Sequence, residues 1–283
     1  VLLAGLFAAT TVALAGGALA VLRSEAQGWL GALVLAATPA LAVHAALQYA
    51  DVPLGCFVLA TVVCLSLAER VPADRGWLLV AAGAALGCAA WTKNEGLLFA
   101  AAVVSSRLAV QVSRAGWRGG ATDLGRLAVA VAPVLLALAY FKLAIAPPSP
   151  YLTQDAARLG GRLADPSRYL QVARAFGERV WGFGGWPVSV AAVLAVYAAC
   201  LGRARRPAAW RGAAGVVAAV ALTGAAYLAS YVATPFPLEW QLGTSLGRLL
   251  LQLWPATVFA FFLVVSAPDG AWAGRPSPEK GSP

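Results

Sequence analysis

The sequence predicts an all-α fold, a polytopic bundle of transmembrane helices, on three observations. Its 283 residues are 60% hydrophobic and 12% charged, with a mean hydropathy of +0.75, well outside the composition of soluble globular proteins. Apolar stretches of bilayer-spanning length recur along most of the chain, separated by short polar punctuation. The net charge of +9 comes from arginines gathered in those gaps, which is the pattern of loops facing anionic lipid rather than of a nucleic-acid binder.

The apolar runs place helices at Val1 to Leu22, Trp29 to Leu47, Pro53 to Ala68, Trp77 to Trp91, Leu97 to Val112, Leu127 to Ala146, Trp186 to Leu201, Ala213 to Val232 and Leu249 to Val265. That makes about nine crossings. The opening twenty residues end in Ala-Leu-Ala, as a signal peptide can, but no basic segment precedes them and further spans follow, so the first run reads as a transmembrane helix. The fifth contains Arg107, which is expected to snorkel toward an interface. Gly83 and Gly87 form a G-x-x-x-G suited to close helix packing. Cys56, Cys64, Cys88 and Cys200 sit in apolar runs without metal-ligand spacing and read as small hydrophobes. Methionine is absent even at position 1, so the chain is expected to begin inside a longer protein.

This division gives a core of transmembrane helices over 1–146, an extracytoplasmic loop with amphipathic surface helices over 147–185, C-terminal spans over 186–266 and a disordered cytoplasmic tail over 267–283. Orientation follows the basic residues of the short loops. Arg23, Arg70, Arg75, Arg114, Arg118, Arg126, the "RARRPAAWR" cluster, Arg275 and Lys280 fall on one side, the expected cytoplasm. Asp51, Lys93, Glu95, Glu239 and Arg248 then share the opposite interface. None lies at mid-membrane, a distribution that suits chemistry on lipid headgroups better than an ion path.

"WTKNEGLLFA" sets Lys93, Asn94 and Glu95 side by side between two spans. Thr92 and Glu95 have capping-box spacing, and Lys93 also suits a helix end. The same residues could bind a phosphate through Lys93 while Asn94 and Glu95 hold it or a sugar hydroxyl. Asp51, just before Pro53 at a helix start, could be a plain N-terminal carboxylate, or it could orient an acceptor hydroxyl or accept a proton. Arg248 opens the last span, as an interfacial anchor or as a bidentate phosphate ligand. His44, two turns before Asp51 on a similar face, is read as a packing residue.

Taken in order, "YADVPLGCFVLA", "LGCAAWTKNEGLLF" and "SLGRLLLQLWP" resemble the GT-C superfamily of membrane glycosyltransferases, in the bacterial branch related to dolichyl-phosphate-mannose protein mannosyltransferases and the aminoarabinose transferase of lipid A. The resemblance implies a hexosyl- or pentosyltransferase of the inner (plasma) membrane that takes a sugar from a polyprenyl-phosphate donor to a lipid, glycan or protein acceptor at the extracytoplasmic face. It implies that Asp51 engages the acceptor or a metal, and that Lys93 and Arg248 cradle the carrier phosphate, with Asn94 and Glu95 in support. The family's first outer loop, which carries its principal acidic base, has no counterpart here, so this stretch alone is expected to be inactive. A divalent cation could take part, but a lone carboxylate makes a poor site and the cofactor stays unassigned. Competing expectations are a transporter or flippase of a lipid-linked or anionic substrate, and a non-catalytic assembly subunit.

Overall fold

A computed structural model describes residues 2–47, 49–203 and 207–268. Among these the chain is built from twelve α-helices with a few single turns between them: α1 (Leu2–Leu22), α2 (Glu25–Ala36), α3 (Pro39–Ala46), α4 (Asp51–Arg70), α5 (Arg75–Thr92), α6 (Asn94–Tyr140), α7 (Pro150–Thr153), α8 (Ala156–Leu163), α9 (Pro166–Trp181), α10 (Val190–Leu201), α11 (Pro207–Ala233) and α12 (Leu238–Val264). Extended pairing among the described residues is a single isolated bridge, Arg203 to Val265. The expected tail from 269 onward and residues 204–206 of the "RARRPAAWR" cluster lie outside the described residues.

Among the described residues, five helices are long and apolar enough to cross a membrane, or up to seven if each of two bent pairs is one span. The nine expected crossings are not reached by that measure. The remaining two, Trp77 to Trp91 and Leu97 to Val112, are helical in α5 and the start of α6 but fall short of it. The second expected span is broken into α2 and α3, bent by 59°, where Pro39 opens a new helix. The span expected from Trp186 begins only at Val190, behind Pro187 and a Ser189 cap that accepts from the Ala192 amide. Its 12 residues reach only about 18 Å, less than the hydrocarbon core, and α9 meets it at 88°.

Helix α6 is not one rod. A straight helix would hold Asn94 and Lys142 about 70 Å apart, yet the Lys142 ammonium donates to Asn94 Oδ1 at 2.6 Å. Arg107 likewise reaches Asp123 at 3.1 Å. The chain therefore doubles back between 109 and 121, and the two arms flank α5. Gly83 and Gly87 make that approach: a Cβ on Gly83 would lie 2.2 Å from the Leu127 carbonyl oxygen, and one on Gly87 3.0 Å from Val134. Small residues let helix backbones meet where lipid offers no hydrophobic drive for association.

The centre of the bundle is α4 against α12. In their most apolar stretches 72% and 67% is buried, against 6% for the second arm of α6, which turns its side chains outward. Gly55 allows the contact, since a Cβ there would sit 3.2 Å from the Gln252 carbonyl oxygen. Helices α1, α5 and α11 complete the surround, with Phe7 meeting Phe57 edge-on at 5.5 Å and Tyr227 and Tyr231 buried.

Two ends emerge from this alternation. At one, Arg75, Arg107, Glu69 and Asp123 join four helical segments. Arg107 pairs with Glu69 at 2.9 Å and with Asp123 at 3.1 Å, and Arg75 pairs with both carboxylates. Arg107 is thus buried in an ion network rather than snorkelling to lipid. The other end holds Asp51, Lys93 and Arg248, with 150–181 laid across it. There Arg168 donates to the carbonyls of Tyr231 and Val232 at the close of α11, and the Gln241 amide donates to the Tyr151 hydroxyl at 2.7 Å. Asp165 caps α9 by accepting from the Ser167 hydroxyl and amide, which holds its carboxyl below the usual carboxylate range.

Candidate functional site

Asp51 opens α4, and its side chain is wholly buried. A carboxylate removed from water survives as an ion only with partners. It has three: Lys93 Nζ donates to Oδ1 at 2.8 Å, Gln252 Nε2 to Oδ1 at 2.6 Å and Arg248 Nε to Oδ2 at 2.7 Å. The structure therefore brings together Asp51, Lys93 and Arg248, which lie far apart in sequence.

Each partner is delivered by a local feature. Lys93 is the one extended residue between α5 and α6 (φ −157°, ψ 161°), so its side chain leaves both helices at their junction. Gly96 makes the junction tight, because a Cβ there would lie 1.9 Å from the Ala89 carbonyl oxygen. The capping box expected from Thr92 and Glu95 does not form. Thr92 donates to the Cys88 carbonyl at 2.6 Å, and Glu95 turns to Lys93 at 3.3 Å, where an opposite charge outweighs a local amide. Asn94 accepts from Lys142, which the π turn Phe141–Ile145 places at the return of α6. Arg248 lies inside α12, its guanidinium 4.5 Å above the Tyr49 ring.

Beyond the predicted residues, four others shape the site. Gln252 is fully buried one turn below Arg248, and its Oε1 accepts from the buried Tyr227 hydroxyl at 3.0 Å, which fixes which end of the amide faces Asp51. Tyr49 and Lys142 form a floor and a flank; Tyr49 falls between two expected spans and Lys142 inside the expected span Leu127 to Ala146. His44, set aside from the site, donates to or accepts nothing within it: its Nδ1 is 2.8 Å from the Ala40 carbonyl, and its ring lies 6.3 Å from that of Tyr49. Arg248 uses only Nε toward Asp51, and its terminal nitrogens carry no hydrogen bond among the described residues.

Beside Lys93, a cavity of about 450 Å³ opens between α4, α5 and the second arm of α6, lined by Phe57, Cys88, Trp91, Thr92, Pro133, Val134 and Ala137. It is almost wholly apolar. Among the described residues no group of three or more His, Cys, Asp or Glu side chains is placed to hold a metal ion. Chemically, the arrangement offers two cations leashed to one buried carboxylate, beside an apolar trough.

No curated protein and no solved structure matches the chain. A family model described as dolichyl-phosphate-mannose-protein mannosyltransferase matches residues 2–146, which contain α1 to α5, the whole of α6 and the Asp51 and Lys93 half of the cluster. The chain, a multi-pass membrane protein by its apolar helices, belongs to the dolichyl-phosphate-mannose-protein mannosyltransferase family of GT-C glycosyltransferases.

Proposed function

We propose that this chain transfers a sugar from a polyprenyl-phosphate donor to an acceptor at the extracytoplasmic face of the inner (plasma) membrane. The observation that carries the reading is the convergence of Lys93 and Arg248 on Asp51 at one end of the bundle. Among the described residues, the short-loop arginines Arg23, Arg70, Arg75, Arg126 and Arg203 lie at the opposite end, which supports a cytoplasmic side there and an outer position for the cluster. The trough ending at Trp91 and Thr92 would seat isoprenoid chain with its phosphate at Lys93.

Transfer is a single displacement. The acceptor hydroxyl attacks the anomeric carbon, the bond to the phosphate oxygen breaks, and polyprenyl phosphate leaves with one more negative charge than it brought. Lys93 and Arg248 stabilise that growing charge, in a site where water is partly excluded and a cation counts for more. To do so they must share their bonds between the phosphate and Asp51. Asp51, with part of its ion pairing given up to the phosphate, is then free to orient the acceptor hydroxyl, while Glu95 holds Lys93 and Asn94 holds Lys142 in place. Both carboxylates of the cluster are already ion-paired, so the group that deprotonates the acceptor comes from outside it.

A transporter fits less well, because the buried acidic and basic residues among those described, Asp51, Arg107 and Asp123, fall at the two ends and none lies between them. The test is sugar transfer by the full-length protein in nanodiscs. Lys93→Ala and Arg248→Ala should each raise the donor KM about tenfold or more, a loss of at least ~1.4 kcal/mol. Asp51→Asn should lower kcat more than it raises donor KM. Wild-type transfer by all three variants at normal expression would defeat the assignment.

A further inference from the structure

The cations at the Asp51 end fall into two groups, one on each carboxylate oxygen. Lys93 sits on Oδ1 at 2.8 Å. Its companion is Lys142, held at the Asn94 amide, and Lys93 directly follows Trp91 and Thr92, which line the apolar trough. Arg248 sits on Oδ2 at 2.7 Å. Its companion comes from the segment laid over the bundle: Arg179 of α9 has Nη1 3.9 Å from where a Cβ on Gly247 would be, beside the residue that precedes Arg248. The hydrogen bonds of Arg168 to the Tyr231 and Val232 carbonyls hold α9 there.

Charge is not balanced across this division. Lys93 touches both carboxylates of the cluster, Asp51 and Glu95, whereas Arg179 has no hydrogen bond or ion pair among the described residues. Arg248 keeps its two terminal nitrogens open, with the Tyr49 face beneath its plane. Arg248 shares the single Asp51 carboxylate with Lys93, so Arg179 beside Gly247 adds a positive charge with no carboxylate of its own, and an anion bound there offsets it. A polyprenyl-phosphate sugar is a phosphodiester with one negative charge, which Lys93, Lys142 and the Asp51-facing edge of Arg248 can meet. One oxyanion does not account for the Arg179 side.

Resting on the donor reading above, we infer that Arg179 and the terminal edge of Arg248 form a second oxyanion site, and that the acceptor carries the phosphate or carboxylate that fills it. Placing the acceptor's charge at Arg248 sets its nucleophile beside Asp51, one carboxylate away from the donor phosphate at Lys93. The enzyme then selects acceptors by an anionic group as well as by a hydroxyl.

The experiment is a phosphorus NMR titration of the full-length protein in phosphatidylcholine nanodiscs, with farnesyl phosphate brought to saturation and inorganic phosphate added afterwards. One further phosphate should bind. Arg179→Gln should weaken it about tenfold and change farnesyl phosphate affinity by less than about twofold, while Arg179→Lys keeps most of the binding. Lys142→Ala should do the reverse. If inorganic phosphate only displaces farnesyl phosphate, or if Arg179→Gln leaves its binding unchanged, the second site does not exist. In nanodiscs containing phosphatidylglycerol, phosphate affinity should hold. Its loss there would assign the site to bilayer headgroups and overturn the acceptor role. Phosphate binding that depends on Arg179 in a protein that never binds farnesyl phosphate would sink the donor reading alone.

Discussion

Gly55 of α4 and Gln252 of α12 meet so closely that a Cβ on the glycine would lie 3.2 Å from the Gln252 carbonyl oxygen. One turn above, the same two helices present Asp51 and Arg248 to each other at 2.7 Å. The ion pair is therefore set by a backbone approach, and the approach by a missing side chain.

Widening that contact should disturb the cluster without touching any charge. Gly55→Val is expected to destabilise the bundle by about 1–3 kcal/mol, the usual cost of overpacking. Donor KM should rise in the protein that remains folded, because Gln252 is carried away from Asp51. Gly125→Ala is the control, since nothing lies within 4 Å of a Cβ there. Thermal unfolding in detergent and transfer kinetics would check the pair; a Gly55→Val protein as stable and active as wild type would mean that α4 and α12 can part freely.

How much of this was readable from the residues alone varies with the range of the interaction. Polar residues between apolar runs mark where helices leave the membrane, and counting crossings assigns them an end, so Asp51, Lys93 and Arg248 could be grouped before any coordinates. Local rules failed where a distant charge competed with them. Thr92 and Glu95 have capping spacing, but Glu95 takes Lys93 instead. Arg107 looked like a lone interfacial cation because its partners, Glu69 and Asp123, are 38 and 16 residues away. Gln252 and Tyr227 sit inside apolar runs that carry no periodic sign of a polar contact, and only the α4 to α12 approach reveals them. Hydropathy alone also overestimated the span from Trp186, where Pro187 and the Ser189 cap cut the helix short.

The Arg107 network predicts a stability effect separable from catalysis. Removing one member of a buried ion cluster strands the others, typically at about 3–5 kcal/mol. Arg107→Ala should therefore lower the unfolding temperature sharply, whereas Glu69→Gln combined with Arg107→Met should cost less than the two single changes added together. Donor KM of the folded fraction should stay at the wild-type value, because this network lies at the opposite end from Asp51. A donor KM that moved with stability would show that the two ends communicate.

The hydrogen-bond chain from Tyr227 through Gln252 to Asp51 yields the sharpest expectation. Tyr227 donates to Gln252 Oε1, so the amide must present its nitrogen to the carboxylate at 2.6 Å. Gln252→Leu removes a donor to a buried anion, a loss of about 1.5–3 kcal/mol for a hydrogen bond to a charged group. Tyr227→Phe leaves the amide oxygen unsatisfied and free to rotate, so it should weaken the same contact by less. Once Gln252 is gone, Tyr227 has nothing to orient, and the double variant should behave much like Gln252→Leu alone. Gln252→Glu is the decisive member of the series: it sets a second carboxylate against Asp51, and one of the two must then take a proton or draw Lys93 and Arg248 closer. That variant should bind donor more weakly than Gln252→Leu, because the two cations are then held against two carboxylates rather than released to a phosphate. Equal donor affinity in Gln252→Glu and Gln252→Leu would mean that Asp51 does not govern how Lys93 and Arg248 are shared.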